Sequence, residues 1–258
     1  MMKAIATLAV AAALIGSASA APAVKPTVVL VHGAFADSSS WDGVSARLQK
    51  DGYRVVAAAN PLRSVKGDAD VVSSIVKGID GPVVLVGHSY GGAVITTAAQ
   101  GNANVKGLVY VAAFAPEAGE NAFELSGRYP GGTLGGALAA PVTLPDGGKD
   151  LYIDQAKFPQ QFAADVPVAK AKLMAVGQRP ITEAALKEAS GAPAWKNVPS
   201  YFVYGTADKN IPPAALKFMA ERAQSRKTVE VAGASHVVMT SHPAEVAKLI
   251  EQAAEAKN

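Results

Sequence analysis

From Pro26 onward, short apolar runs alternate with longer segments in which apolar residues recur every three or four positions. Thr27-Val-Val-Leu-Val31 is a β-branched run with the length and character of a strand buried on both faces. The next segment, SSSWDGVSARLQK, puts Trp41, Val44 and Leu48 on one helical face, with Ser38 placed to cap it. The pattern then predicts a strand at 53–57, a helix at 68–79, a strand at 82–86, a helix at 90–100 and a strand at 105–114. After a long interruption it resumes with a strand at 201–204 and a helix at 213–224, where Leu216, Met219, Ala220 and Ala223 align. A strand at 228–231 follows, then a helix at 243–256 with Val246, Leu249 and Ile250 facing inward. Alternation at this spacing predicts an α/β fold: a mostly parallel sheet of about six strands with helices on both faces.

The interruption, about 117–196, is rich in Gly and Pro. It holds a hairpin-like VTLPDGGKDLYI, with Asp146-Gly147 at the turn, and short helix candidates at 156–166 and 168–176. It is too long for a plain loop. The expectation is a cap inserted over one end of the sheet, within a single domain spanning 21–258.

The N-terminus breaks the alternation. Lys3 precedes an Ala/Leu/Ile/Val stretch to Ile15, then Gly16-Ser17-Ala18-Ser19-Ala20-Ala21. A basic start, an apolar centre and small residues at the cut describe a secretory signal cleaved after Ala20. The apolar centre is too short to cross a bilayer core of about 30 Å, and there is no cysteine to carry a lipid. The expected location is periplasmic or secreted, with no membrane association after cleavage.

Lys3 is the sole charge in that segment, so the remainder carries a net +2, one less than the +3 of the whole 258-residue chain. Without a run of Lys or Arg, neither nucleic acid nor an anionic membrane is a supported partner. The absence of cysteine removes disulfides and thiolate metal sites, and the four histidines form no HExxH pattern. No metal and no cofactor are expected; the sequence leaves the oligomeric state open.

Gly87-His88-Ser89-Tyr90-Gly91 fits G-x-S-x-G between a predicted strand and a predicted helix, the context that gives this motif meaning. A serine forced onto a sharp strand-to-helix turn brings the backbone on either side together and leaves no room for Cβ atoms. The hydroxyl then stands above the sheet, and the following helix aims its N-terminal amides at a developing oxyanion. A serine nucleophile needs a base, and the base an orienting acid. Asp208, in GTADKNIP, and His236, in GASH, each fall just past a predicted strand, in the chain order Ser, Asp, His. All three sit at the carboxyl edge of the sheet, where ligands bind in open α/β folds. His242 is an alternative base, Glu117 or Glu120 an alternative acid. His88 is expected to pack beneath the turn. His32-Gly33-Ala34-Phe35 follows the first strand, where a loop amide, from Ala34 or else Phe35, would join that of Tyr90 as an oxyanion hole.

With VLVHGAF, VLVGHSYGGAVI, GTADKNIP and GASHVVMTSHP in place, the chain resembles the α/β-hydrolases over about residues 26–256. It is most similar to the compact capped group of plant methylesterases, hydroxynitrile lyases and pyrethroid-hydrolase-like carboxylesterases. The resemblance implies Ser89 as nucleophile, His236 as base, Asp208 as its partner, and the Ala34 and Tyr90 amides as oxyanion donors. Serine at the turn departs from the aspartate of dehalogenases and epoxide hydrolases of this fold. Val237 stands where the similar lyases carry lysine, which argues against lyase chemistry.

The expected activity is therefore hydrolysis of small apolar or aromatic carboxylic esters through an acyl-enzyme. A cofactor-free peroxidase or lyase using the same triad, or a ligand-binding protein that keeps the fold, are the alternatives. Phe35, Tyr90, Phe123, Tyr152, Phe158, Phe162 and Val237 are the expected substrate contacts, in a pocket with few charges.

Overall fold

The computed structural model describes residues 24–256; the expected signal segment and its cleavage point lie outside the described residues. The first half of the chain forms β1 (Thr27–Val31), α1 (Asp42–Lys50), β2 (Val55–Ala58), α2 (Val65–Lys77), β3 (Val83–His88), α3 (Gly91–Ala98) and β4 (Val105–Val111). The chain then leaves the sheet for α4 (Ala122–Gly127), β5 (Val142–Thr143), β6 (Lys149–Leu151), α5 (Phe158–Phe162), α6 (Val168–Gly177), β7 (Ile181–Thr182) and α7 (Glu183–Lys187). It returns as β8 (Ser200–Gly205), α8 (Pro213–Arg222), β9 (Lys227–Val231), α9 (Val238–Ser241) and α10 (Pro243–Glu255).

The six predicted strands form one sheet in the order β2-β1-β3-β4-β8-β9, every neighbouring pair parallel. Every residue of β1, β3 and β8 is buried, as the unbroken apolar runs require of strands covered on both faces. Parallel pairing sends all their carboxyl ends to one edge. Val31 pairs with Gly87 and His88 with Val111, so the loops after β1, β3 and β4 emerge side by side.

Several boundaries differ from the sequence reading, each for a local reason. Asp37, not Ser38, caps the first helical turn: its carboxylate accepts from the Ser39 amide at 2.8 Å, while the Ser38 hydroxyl donates to the Ala58 carbonyl. α2 starts at Val65 rather than 68 because the Ser64 hydroxyl accepts from the Gly67 amide at 3.0 Å. β4 stops at Val111, short of 114, because Ala112 takes a φ of +44°, outside extended backbone. The Phe114 amide then donates to the Ser89 carbonyl at 3.1 Å, fastening that loop to the serine turn.

In the excursion between β4 and β8 the expected hairpin forms as β5 and β6, with Gly147 at φ +85° in the turn. β7 adds a third strand against β6, which two residues without periodicity could not announce. α5 spans five residues where 156–166 was expected, ending at Phe162 because Ala163, its C-cap, leaves the helical region at φ −138°. Among the described residues no helix is long and apolar enough to cross a membrane.

Candidate active site

Ser89 sits one residue past β3 with a φ of +52°. A non-glycine residue there is strained, and the surroundings must hold it. The glycines on either side make that possible. A Cβ on Gly87 would lie 2.5 Å from the Gly91 carbonyl oxygen, and one on Gly91 would lie 2.5 Å from that of Val31. The Ser89 amide donates to Val111 at 3.2 Å, and the Ser89 carbonyl accepts from Gly92 and Phe114. Backbone from β4, the loop after it and the start of α3 thus grips the turn.

The loop after β1 presses on it from the other side. A Cβ on Gly33 would fall 2.6 Å from the Ser89 Cβ, so only glycine lets the loop lie this close. His32 fixes the loop: its Nε2 accepts from the Asn60 amide at 3.1 Å, which puts the proton on Nδ1, donating to the Gly33 carbonyl at 3.0 Å. Burial holds the His32 pKa below the usual value, in keeping with a neutral ring. The Ala34 and Tyr90 amides have no protein acceptor among the described residues. The Phe35 amide does: it donates to the Arg179 carbonyl at 3.0 Å. The alternative donor offered by the sequence is thus already engaged, whereas the Ala34 amide is not.

His236 and Asp208 meet across the loops after β9 and β8. His236 Nδ1 lies 2.7 Å from Asp208 Oδ2, and both side chains are buried. The other carboxylate oxygen accepts from the Asn210 and Ile211 amides at 2.8 and 3.0 Å. Both oxygens are engaged, so the carboxylate cannot swing away from the ring. The His236 ring packs against Phe162, centroids 5.1 Å apart, and against His88 at 4.7 Å. His88 also bonds the His236 carbonyl through Nε2 at 3.2 Å. A carbonyl only accepts, so that nitrogen carries the proton; burial, then the neighbouring His236, drives the His88 pKa well below the usual value.

The alternatives are placed elsewhere. His242, at the start of α10, is partly exposed, with Nδ1 2.9 Å from the Ser241 hydroxyl and 3.5 Å from Asp165. Glu117 pairs with Lys196, and Glu120 with Arg222 and Arg128. No group of three or more His, Cys, Asp or Glu side chains is gathered for a metal among the described residues.

Ser89 and His236 open together onto a cavity of about 330 Å³. No hydrogen bond joins their side chains among the described residues; such contacts are often loose before substrate binds. Of the expected substrate contacts, Phe35, Tyr90 and Phe123 border the cavity, as does Ala34. Tyr152, Phe158, Phe162 and Val237 do not. Phe158, Phe162 and Val237 are wholly buried, with Phe162 packed against the His236 ring rather than lining open space. Leu134, Leu138 and Leu151 from the excursion form the apolar wall instead, with Leu186 and Ile211. The border is less neutral than expected, since Lys149, Glu183 and Lys187 also reach it, the last two paired at 2.6 Å. Tyr90 is held from below: its hydroxyl donates to Asp68 at 3.0 Å, and burial pushes the Asp68 carboxyl up. Asp68 carried no site signal in the sequence.

The chain matches the model of the alpha/beta hydrolase family over residues 28–249. It is similar to polyneuridine aldehyde esterase, with a TM-score of 0.76 and 19% identity over 89% of this chain and 99% of that one. It is also similar to a pyrethroid hydrolase from Sphingobium faniae JZ-2, with a TM-score of 0.70 and 22% identity over 90% of this chain and 98% of that one. An alpha-hydroxynitrile lyase of Arabidopsis thaliana is 25% identical, over 85% of this chain and 93% of that protein. The chain belongs to the alpha/beta hydrolase family, and its six-stranded sheet is the sheet of that fold.

Proposed function

We propose that this α/β-hydrolase is a serine carboxylesterase acting on small apolar or aromatic esters. One observation carries the reading: a serine held at φ +52° shares a cavity with a histidine whose far nitrogen is fixed to a buried carboxylate. Ser89 Oγ attacks the ester carbonyl while His236 Nε2 takes its proton. Asp208 keeps the ring in the tautomer that leaves Nε2 free to accept, and stabilises the imidazolium that forms. The negative oxygen of the tetrahedral intermediate is met by the Ala34 and Tyr90 amides. Collapse breaks the C–O bond, His236 returns the proton to the leaving alcohol, and water repeats the sequence on the acyl-enzyme.

The hydrolase names of the two structural relatives support ester cleavage as the reaction class. The lyase relative supports a second use of the same scaffold. However, the residue after His236, where the lyases that this chain resembles carry lysine, is a buried valine that does not reach the cavity, which favours hydrolysis. The reading includes export: the first 20 residues serve as a signal, and the exported protein starts at Ala21, which N-terminal sequencing would establish.

A fluorophosphonate probe tests the core of the proposal. One equivalent should add to Ser89, with loss of activity on p-nitrophenyl esters, and Ser89→Ala should neither label nor turn over. An adduct on another serine, or full activity in Ser89→Ala, would remove Ser89 from the mechanism.

A further inference from the structure

Asn210 contributes its backbone to the Asp208 carboxylate, but its side chain is unused by the mechanism. It is 3% exposed and borders the cavity that holds Ser89 and His236. The hydrogen bonds around it fix which end of the carboxamide faces which way. The Lys209 carbonyl can only accept, so the Gln161 atom 3.0 Å from it is Nε2. The same Nε2 lies 2.7 Å from the Asn210 side chain, which must therefore present Oδ1 to it. Gln161 is held in turn by the Thr133 hydroxyl, which donates to its Oε1 at 2.9 Å. With Oδ1 committed, the two N–H donors of Asn210 point the other way, and Nδ2 has no protein acceptor among the described residues. Nor is it sealed off among the buried atoms that lack a partner.

An oriented amide donor in a mostly apolar cavity is the kind of group that fixes a ligand's orientation. We infer that the Asn210 carboxamide is a specificity-determining donor that selects esters carrying a second, uncharged hydrogen-bond acceptor such as an ether or ketone oxygen. The inference rests on the esterase reading above. Its logic is asymmetric. A substrate with the acceptor gains a hydrogen bond, whereas a hydrocarbon of the same shape leaves a nearly buried amide unpaired.

Isosteric ester pairs isolate this effect: p-nitrophenyl methoxyacetate against p-nitrophenyl butanoate on the acyl side, and methoxyethyl against butyl hexanoate on the alcohol side. The quantity read is the ratio of kcat/KM within each pair, which cancels any change common to both esters. Asn210→Leu keeps the volume, and should lower the ratio about three- to tenfold in at least one pair. Ratios unchanged in both pairs would overturn the inference. Should Asn210→Leu fail to fold, the wild-type protein still decides. In ¹⁵N spectra, the Asn210 side-chain amide, assigned by its absence from Asn210→Asp, should shift further with N-phenyl methoxyacetamide than with N-phenyl butanamide. Equal or absent shifts would overturn the inference. If the wild-type protein cleaves none of the esters, the esterase reading fails, and the spectra judge Asn210 separately.

Discussion

Asp208 Oδ2 and His236 Nδ1 are 2.7 Å apart although 28 residues separate them in the chain. Both lie on loops at the carboxyl edge of the sheet, after β8 and β9, strands paired in parallel from Tyr201 and Lys227 to Gly205 and Val231. Removing the acid while keeping its shape tests what the pair does. Asp208→Asn should lower kcat by about 10⁴, because an amide that donates to Nδ1 puts the ring in the wrong tautomer. His236→Ala should cost as much as Ser89→Ala, since the groups act as a unit. His242→Ala should stay within about twofold of wild type, because His242 is outside the cavity. Kinetics on one p-nitrophenyl ester settle all of these. A severe His242→Ala phenotype beside a mild His236→Ala would exchange the two histidines in the mechanism.

Gly33→Ala makes a different demand. The added methyl would sit 2.6 Å from the Ser89 Cβ and 2.7 Å from the His88 carbonyl oxygen. Both belong to a turn gripped by backbone, so the β1 loop must be the part that moves, carrying the Ala34 amide away from Ser89. The expected result is a fall in kcat of about 10²–10³, the usual cost of one oxyanion donor, in a protein that still folds. Stopped-flow acylation with circular dichroism alongside checks this. Wild-type kcat in Gly33→Ala would mean that the Ala34 amide is not used.

How far the chain could be read depended on where each signal lay. The apolar runs of β1, β3 and β8 are buried along their whole length, so hydrophobicity alone marked them. Ser89, Asp208 and His236 stood out because a strained turn and two strand ends each confine residue choice locally. The cavity wall was harder to foresee. Phe158 and Phe162 are as apolar as Leu138 and Leu151, and a linear sequence does not say which will face the core and which the open space. Asn210 was hidden for a related reason: its orientation depends on Gln161, 49 residues away.

Two buried histidines predict how stability follows pH. His32 and His88 both have pKa values lowered from the ordinary 6.5, burial being the largest cause. Each therefore takes up a proton more readily in the unfolded chain than in the folded one. Their contribution is intact above pH 6.5 and is lost as the pH falls below it, by about 1.4 kcal/mol per pH unit for each proton. His88→Gln keeps a donor near the His236 carbonyl but does not titrate. Urea unfolding at intervals between pH 7.5 and 5 should show a shallower decline for this variant, by about one proton's worth. Parallel curves for the two proteins would show that His88 is protonated equally in both states.

The cavity sets the last expectation, the length of chain accepted. At about 330 Å³ it is near the lower end of the usual range for small-molecule sites, and leucines from the excursion close it. Each methylene moved from water into such a wall contributes about 0.8 kcal/mol, or close to fourfold in kcat/KM when realised in the transition state. Across p-nitrophenyl esters of rising acyl length, kcat/KM should climb by several-fold per carbon, reach a maximum at short-to-medium length, then fall. Leu138 is partly exposed on the wall, so its side chain can be changed without opening the core. Leu138→Ala should move the maximum to longer chains and Leu138→Phe to shorter ones, opposite shifts that a general loss of activity would not produce. Acetate esters, too short to reach the wall, should respond least to either change. A rate that keeps rising on emulsified long-chain triglyceride, with no maximum, would mean that the acyl chain lies outside this cavity and that the excursion does not bound the site.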